Sequence, residues 1–280
     1  MDVKRVSRYG RAGRVLPPLI TAVALIMSAV PGVASGAPAP DYSLADRNYA
    51  GSQIALHEGV HGNPLDARMD VAGQTLGHDV SGHQGAVDWS AATGAGAKFV
   101  YVKATEGTGF QNPQYAQQYD GAHSGGLIRG AYHFARPDVS SGAEQAQYFI
   151  DHGGAWRGDG VTLPGALDIE YNPYGDVCYG KSPADMTAWI TDFTRTYLAK
   201  TRRSALIYTS TNWWKACTGN SGAFGNTDPL WLARYGPDVG ELPAGWGKQS
   251  IWQFADTGGL PGDQNYYNGP LERVQALAHG

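Results

Sequence analysis

The stretch LPGALDIEYNP, residues 163–173, is an apolar run that ends in two carboxylates, Asp168 and Glu170, one residue apart. Such a run reads as a buried strand, and each acid costs several kcal/mol to desolvate if it enters a core unpaired. The chain must therefore supply partners for these acids, or a substrate must. Similar short apolar runs flank the stretch. LGHDV (76–80), KFVYVKA (98–104) and IRGAYHF (128–134) precede it, and SALIYTS (204–210), PLWLARY (229–235) and SIWQFA (250–255) follow. Segments with helical spacing separate the early runs. In SPADMTAWITDFTRTYLAK (182–200), Ser182 is placed as N-cap, Pro183 at the first helical position and Asp185 as the partner in a capping box. Its apolar face is Met186, Trp189, Ile190, Phe193, Tyr197 and Leu198.

Strand–helix–strand alternation predicts a parallel sheet, so the fold class is α/β. Seven or eight strands over about 200 residues predict a TIM-like (β/α) barrel rather than an open sheet. The gaps after Ser210 are rich in Gly, Asn and Pro, so the second half of the barrel is expected to have short helices or none. In a parallel barrel the C-terminal strand ends share one face. Asp79 ends the first run, Asp168 and Glu170 end the fourth, and Asp263 lies in PGDQNYYNG, where an eighth strand belongs. These four carboxylates are expected to converge on one pocket. Crowded carboxylates push one another's pKa values apart, so that one stays protonated while others ionise. A glycosidic bond needs that division of labour. The competing reading of D-x-E is a strand end with solvated or ion-paired acids, and the acids at other strand ends favour chemistry.

Composition narrows the alternatives. Hydrophobic residues make up 42% of the 280-residue chain and charged residues 16%, enough for a sizeable core. Lys4, Arg5, Arg8, Arg11 and Arg14 precede the apolar run LITAVALIMSAV (19–30) and the small residues GVASGAPAP. This is the pattern of a secretory signal peptide, expected over residues 1–36, and the run is too short for a comfortable membrane anchor. No other segment reads as a membrane span. Without residues 1–36 the formal charge falls from −4 to about −8, which argues against nucleic-acid binding. Residues 37–75, rich in Ala, Gly, Asp and Pro, have no clean period and read as a weakly structured propeptide or linker, with the barrel over 76–280. In an oxidising compartment Cys178 and Cys217 are expected to form a disulfide.

The motifs HDVSGHQGAVDW, FVYVKATEGTGFQNP, GAYHFARP and ALDIEYNP, followed by WLARYG, SIWQFADTGGLPG and DQNYYNG, resemble family 25 glycoside hydrolases, the Chalaropsis-type lysozymes. The resemblance covers residues 76–280 and is nearest to the secreted muramidases of Streptomyces. It implies a flattened, incomplete (β/α) barrel. It also implies hydrolysis of the β-1,4 bond between N-acetylmuramic acid and N-acetylglucosamine in bacterial peptidoglycan, outside the cell. On the family pattern Glu170 is the general acid and Asp168 holds the substrate's 2-acetamido group, while Asp79 and Asp263 tune charge and position. No cofactor and no oligomer are implied.

Other residues carry weaker signals. Tyr132, Tyr171, Tyr235 and Trp252 are candidates for sugar stacking, with core packing as the alternative for Trp231 and Trp252. Gln84 and Gln253 are candidates for binding sugar hydroxyls or orienting a carboxylate. Glu106 is placed at the groove border or in solvent, and Arg136 in a surface salt bridge or against an anionic substrate group. His78, His83 and His133 raise a zinc alternative, but no compact ligand motif accompanies them, and His133 reads better as a core histidine. A wall-binding lectin on the same barrel is the second class of function, disfavoured because a lectin needs no protonated acid.

Overall fold

The short apolar runs become strands because they are too short and too rich in β-branched and aromatic residues for helices. In the computed structural model, which describes residues 39–59 and 73–280, they close into an eight-stranded barrel. The expected signal peptide lies outside the described residues. A short helix, α1 (Ile54–Glu58), precedes the barrel. The first strands are β1 (Thr75–Val80), β2 (Phe99–Glu106), a two-residue β3 (Phe110–Gln111) that folds back on β2, and β4 (Ile128–Phe134). Then follow β5 (Ala166–Asp168), β6 (Leu206–Thr209), β7 (Leu230–Ala233), β8 (Ile251–Ala255) and β9 (Asp263–Tyr267). Apart from the antiparallel β3, neighbours from β1 through β8 run parallel.

The last strand departs from a parallel barrel. β9 runs antiparallel to both β8 and β1 and closes the ring between them. A parallel return needs a crossover of a dozen or more residues, and the link at 256–262 is too short to supply one. Reversal brings the first residue of β9, Asp263, to the same end of the barrel as the last residues of the parallel strands, opposite Asp79 in the ladder.

Helices cover the first half and thin out in the second, as the turn-rich later gaps predict. α2 (Trp89–Gly94), α3 (Tyr115–Ser124), α4 (Gly142–Phe149) and α5 (Pro183–Thr201) follow β1, β3, β4 and β5. After β6 comes the eight-residue α6 (Thr211–Thr218), no helix joins β7 to β8 or β8 to β9, and α7 (Leu271–His279) ends the chain. The Ser182 hydroxyl accepts the Asp185 backbone N–H and donates to the Asp185 carboxylate, fixing the start of α5. Its face buries Met186, Trp189, Ile190, Phe193 and Tyr197, whereas Leu198, assigned to that face from spacing, is 44% exposed.

The barrel is filled by large rings. Trp231 meets Tyr101 at 4.8 Å and Tyr208 at 4.9 Å between ring centroids. Glycines make room for two rings of this core: a Cβ at Gly77 would strike Phe99, and one at Gly130 would strike Tyr101. Cys178 and Cys217 form the expected disulfide, tying the loop before α5 to α6.

The expectation of weak structure fails at residues 40–59. They pack across the end of the barrel that carries the acids, with Ala45, Asn48, Ala50 and Ile54 buried. The reason is distant polar partners, which no local period registers. Lys103, buried on β2, donates to the carbonyls of Ala45 (2.9 Å) and Asn48 (2.6 Å).

Candidate active site

The four carboxylates stand at one end of the barrel and act on one another. Asp79 ends β1 opposite Asp263, Asp168 ends β5, and Glu170 lies two residues beyond on the same side. Burial is the largest influence on each. It raises Glu170 to about 8, with the nearby charges of Asp79 and Glu58 adding to the rise and two backbone N–H bonds opposing it. It raises Asp79 to about 7 against hydrogen bonds from Gln253 and Asn265. Asp168 lies well above the usual carboxylate range through burial and then the Glu170 charge, with Lys103 pulling the other way. Asp263 is likewise raised by burial, then by Asp79, Asp256 and Glu170. At neutral pH Glu170 therefore keeps its proton in this state.

A hydrogen-bonded frame holds Asp79 in place. The Gln253 amide donates to Asp79 Oδ2 (3.0 Å) and to the Ala50 carbonyl (2.9 Å), and its oxygen accepts from the hydroxyls of Tyr208 (2.7 Å) and Tyr235 (3.1 Å). Asn265 Nδ2 donates to Asp79 Oδ2 at 2.7 Å, while Asn265 Oδ1 accepts from Trp231 Nε1 at 2.7 Å. The acids' end of the barrel thus rests on an aromatic floor linked to Asp79 through Gln253 and Asn265. Asp168 differs. Both of its oxygens are buried and neither has a hydrogen-bond partner among the described residues.

The candidate subsite residues divide into two groups. Tyr132 is in the site, its hydroxyl accepting the Ala50 N–H at 3.3 Å. Tyr235 is beside Gln253, and Tyr171 lies on the rim, stacked against His57 at 4.3 Å. Trp252 is not in the site. Gln253 points into the barrel, so alternation along β8 turns Trp252 outward, where it packs with Phe254 and bonds the Arg234 carbonyl. Gln84 is a local cap, its side-chain oxygen accepting the Ser81 backbone N–H at 2.8 Å. Glu106 is not solvated. It is buried, ion-paired to Lys103 at 2.7 Å and hydrogen-bonded by Tyr174 (2.7 Å) and Asn48 (3.1 Å). Arg136 is also buried rather than on the surface, clamped on Asp138 and lying 3.8 Å over the Tyr174 ring.

The histidines are apart from one another. His78 bonds the Pro261 carbonyl, and burial lowers it to about 4. His133 is held on both ring nitrogens by Thr105 (2.8 Å) and Gln145 (2.9 Å), and burial lowers it to about 3. His83 stacks on Tyr49. Among the described residues no group of His, Cys, Asp and Glu is arranged to hold a metal ion. Sequence reasoning missed Asn265, Tyr208 and Lys103. Asn265 was within reach of it, since it sits two positions after Asp263 on the same strand face.

Comparison with known proteins agrees with this geometry. The model of glycosyl hydrolases family 25 matches residues 78–263, which include all four acids. Lysozyme M1 of Streptomyces globisporus is 39% identical over 98% of this chain and 97% of its own. The N,O-diacetylmuramidase of Chalaropsis sp is 48% identical over 73% of this chain and 99% of its own. The solved structure of a muramidase from Acremonium alcalophilum superposes with a TM-score of 0.73 at 53% identity, covering 74% of this chain and 99% of that one. The last two are thus complete without a counterpart of about a quarter of this chain. With its barrel, its acids and these relatives in agreement, the chain belongs to glycosyl hydrolases family 25.

Proposed function

We propose that the chain is an exported muramidase that cuts the β-1,4 bond between N-acetylmuramic acid and N-acetylglucosamine in bacterial peptidoglycan. The names of its relatives support the substrate, and the basic, apolar N-terminal sequence supports export with loss of residues 1–36. It acts as a monomer outside the cell. Glu170 is the general acid: its proton passes to the glycosidic oxygen as the bond to the anomeric carbon breaks. The substrate's own acetamido oxygen attacks that carbon, and Asp168 accepts the acetamido N–H and stabilises the positive charge that develops there. Water then opens the cyclic intermediate and returns a proton to Glu170. Asp79, fixed by Gln253 and Asn265, and Asp263 hold the field around the reacting carbon.

The observation that carries this reading is Asp168, a buried acid with both oxygens unpartnered. A buried polar group in that state is expensive and calls for a donor from outside the chain, which an acetamido N–H supplies. The test uses the chain from Gly73 onward, which holds every barrel strand and the whole family match. It should clear a peptidoglycan suspension and release products whose new reducing ends are muramic acid by mass spectrometry. Glu170→Gln should lower kcat by on the order of 100-fold or more and still bind walls. Reducing ends on glucosamine would refute the muramidase reading.

A further inference from the structure

Residues 41–59 lie directly over the site just described. The Gly51 N–H donates to Glu170 Oε1 at 2.8 Å and the Gln53 N–H to Oε2 at 3.3 Å, so both oxygens of the catalytic acid are occupied. The Ala50 carbonyl accepts from the Gln253 amide, and the Ala50 N–H donates to the Tyr132 hydroxyl. Towards β6 the segment covers Tyr171 with the His57 ring. Glu58 there accepts from the Tyr171 hydroxyl (3.0 Å), Ser210 (2.5 Å) and Asn212 (2.9 Å). Towards β4 the Asp41 carbonyl accepts from Arg136 at 2.7 Å, and the Asn48 side chain reaches Glu106. The partners sit on or just beyond the strand ends that form the mouth of the barrel.

The cover is complete at the acids. Asp79, Asp168, Glu170 and Asp263 are each at most 2% exposed, which leaves no path for a polysaccharide to any of them. The two backbone N–H groups also stand where a glycosidic oxygen would have to approach the Glu170 carboxyl to receive its proton. The fit is tightest at Gly51, where φ is +97°. A Cβ there would strike the Tyr235 hydroxyl and come within 2.8 Å of Gln253 Oε1 and 2.9 Å of Asp263 Oδ2. Only glycine serves at that position.

We infer that residues 41–59 are a built-in inhibitor, a plug that sits in the sugar site through backbone groups and keeps the chain latent until it leaves. The family model matches residues 78–263, beyond the segment, and the Chalaropsis and Acremonium proteins are 99% covered by about three quarters of this chain, so the family's barrel is complete without a counterpart of a quarter of it. This inference rests on Glu170 being the catalytic acid, and the experiment separates the two claims.

Three proteins are compared for release of reducing sugar from peptidoglycan, with circular dichroism to check folding. They are the chain from Ala37, the same chain carrying Gly51→Leu, and the chain from Gly73. The Ala37 form should show kcat/KM about 100-fold or more below the Gly73 form, as expected if the open state is about 1% populated. Gly51→Leu should restore most of the activity without shortening the chain. Equal activity of the Ala37 and Gly73 forms would overturn the plug and leave the muramidase reading standing. A folded but inactive Gly73 form would overturn the muramidase reading and the plug with it. Should the Gly73 form fail to fold, Gly51→Leu decides alone: activity supports the plug, and latency equal to the Ala37 form refutes it.

Discussion

Asp168 sits where stability and chemistry pull in opposite directions. Its carboxyl is buried with no hydrogen-bond partner among the described residues and is pushed up by burial and by Glu170, a poor arrangement for folding and, on the proposed mechanism, the one that receives a substrate amide. Asp168→Asn in the Gly73 form is expected to lower kcat on the order of 100-fold or more, because the amide cannot balance developing positive charge. The melting temperature should not fall, and calorimetry beside steady-state kinetics checks both. The titrations also set the pH response of the plugged chain. Glu170 is raised to about 8 and Asp79 to about 7, so between pH 6.5 and 8 the native state binds protons that the unfolded state has lost. Stability must then fall as pH rises through that window. His78 and His133, lowered to about 4 and 3, are neutral in the native state throughout the window, and the unfolded chain sheds their protons around its pKa near 6.5, so they oppose the fall only at the acid end. Below it they act in the opposite sense, since only the unfolded chain protonates them. Denaturant midpoints of the Ala37 chain should therefore drop from pH 6.5 to 8, and Glu170→Gln should make the drop shallower.

At the scale of elements, α5 shows how far local pattern reaches. Its start is determined by Ser182, Pro183 and Asp185, and five of the six apolar positions assigned from spacing are buried. Ser182→Ala removes the cap and is expected to destabilise the protein by about 1 kcal/mol, with activity unchanged at 25 °C. Urea denaturation and the wall-clearing assay together test this. Leu198 marks the limit, 44% exposed one position after the buried Tyr197. The strands were equally legible as apolar runs, but their direction was not. Apolar pattern is the same read either way along a strand, and β9 is reversed by the shortness of the link at 256–262. Alternation also decides Trp252 and Gln253: one residue of difference on β8 separates an outer packing ring from the amide that orients Asp79.

Across the whole molecule, the disulfide and the plug both join parts that are distant in the chain. Cys178 and Cys217, 39 positions apart, brace the loop beyond Glu170 against α6. Replacing both with serine should lower stability by about 3–4 kcal/mol on the chain-entropy account, measured by denaturant unfolding of the Gly73 form. The sequence by itself determined the α/β class, the alternation that makes a barrel, the thinning of helices after β6 and the four acids, because these rest on periodicity, capping and strand ends that a short window contains. Tertiary structure alone decided which acids lost their water, where Glu106 and Arg136 went, and that residues 41–59 lie across the mouth. Those outcomes depend on bonds such as Gly51 to Glu170 and Ala50 to Gln253, spanning 119 and 203 positions. A local pattern carries no record of which distant groups will meet, since desolvation and hydrogen bonding are settled only when the chain has closed around them.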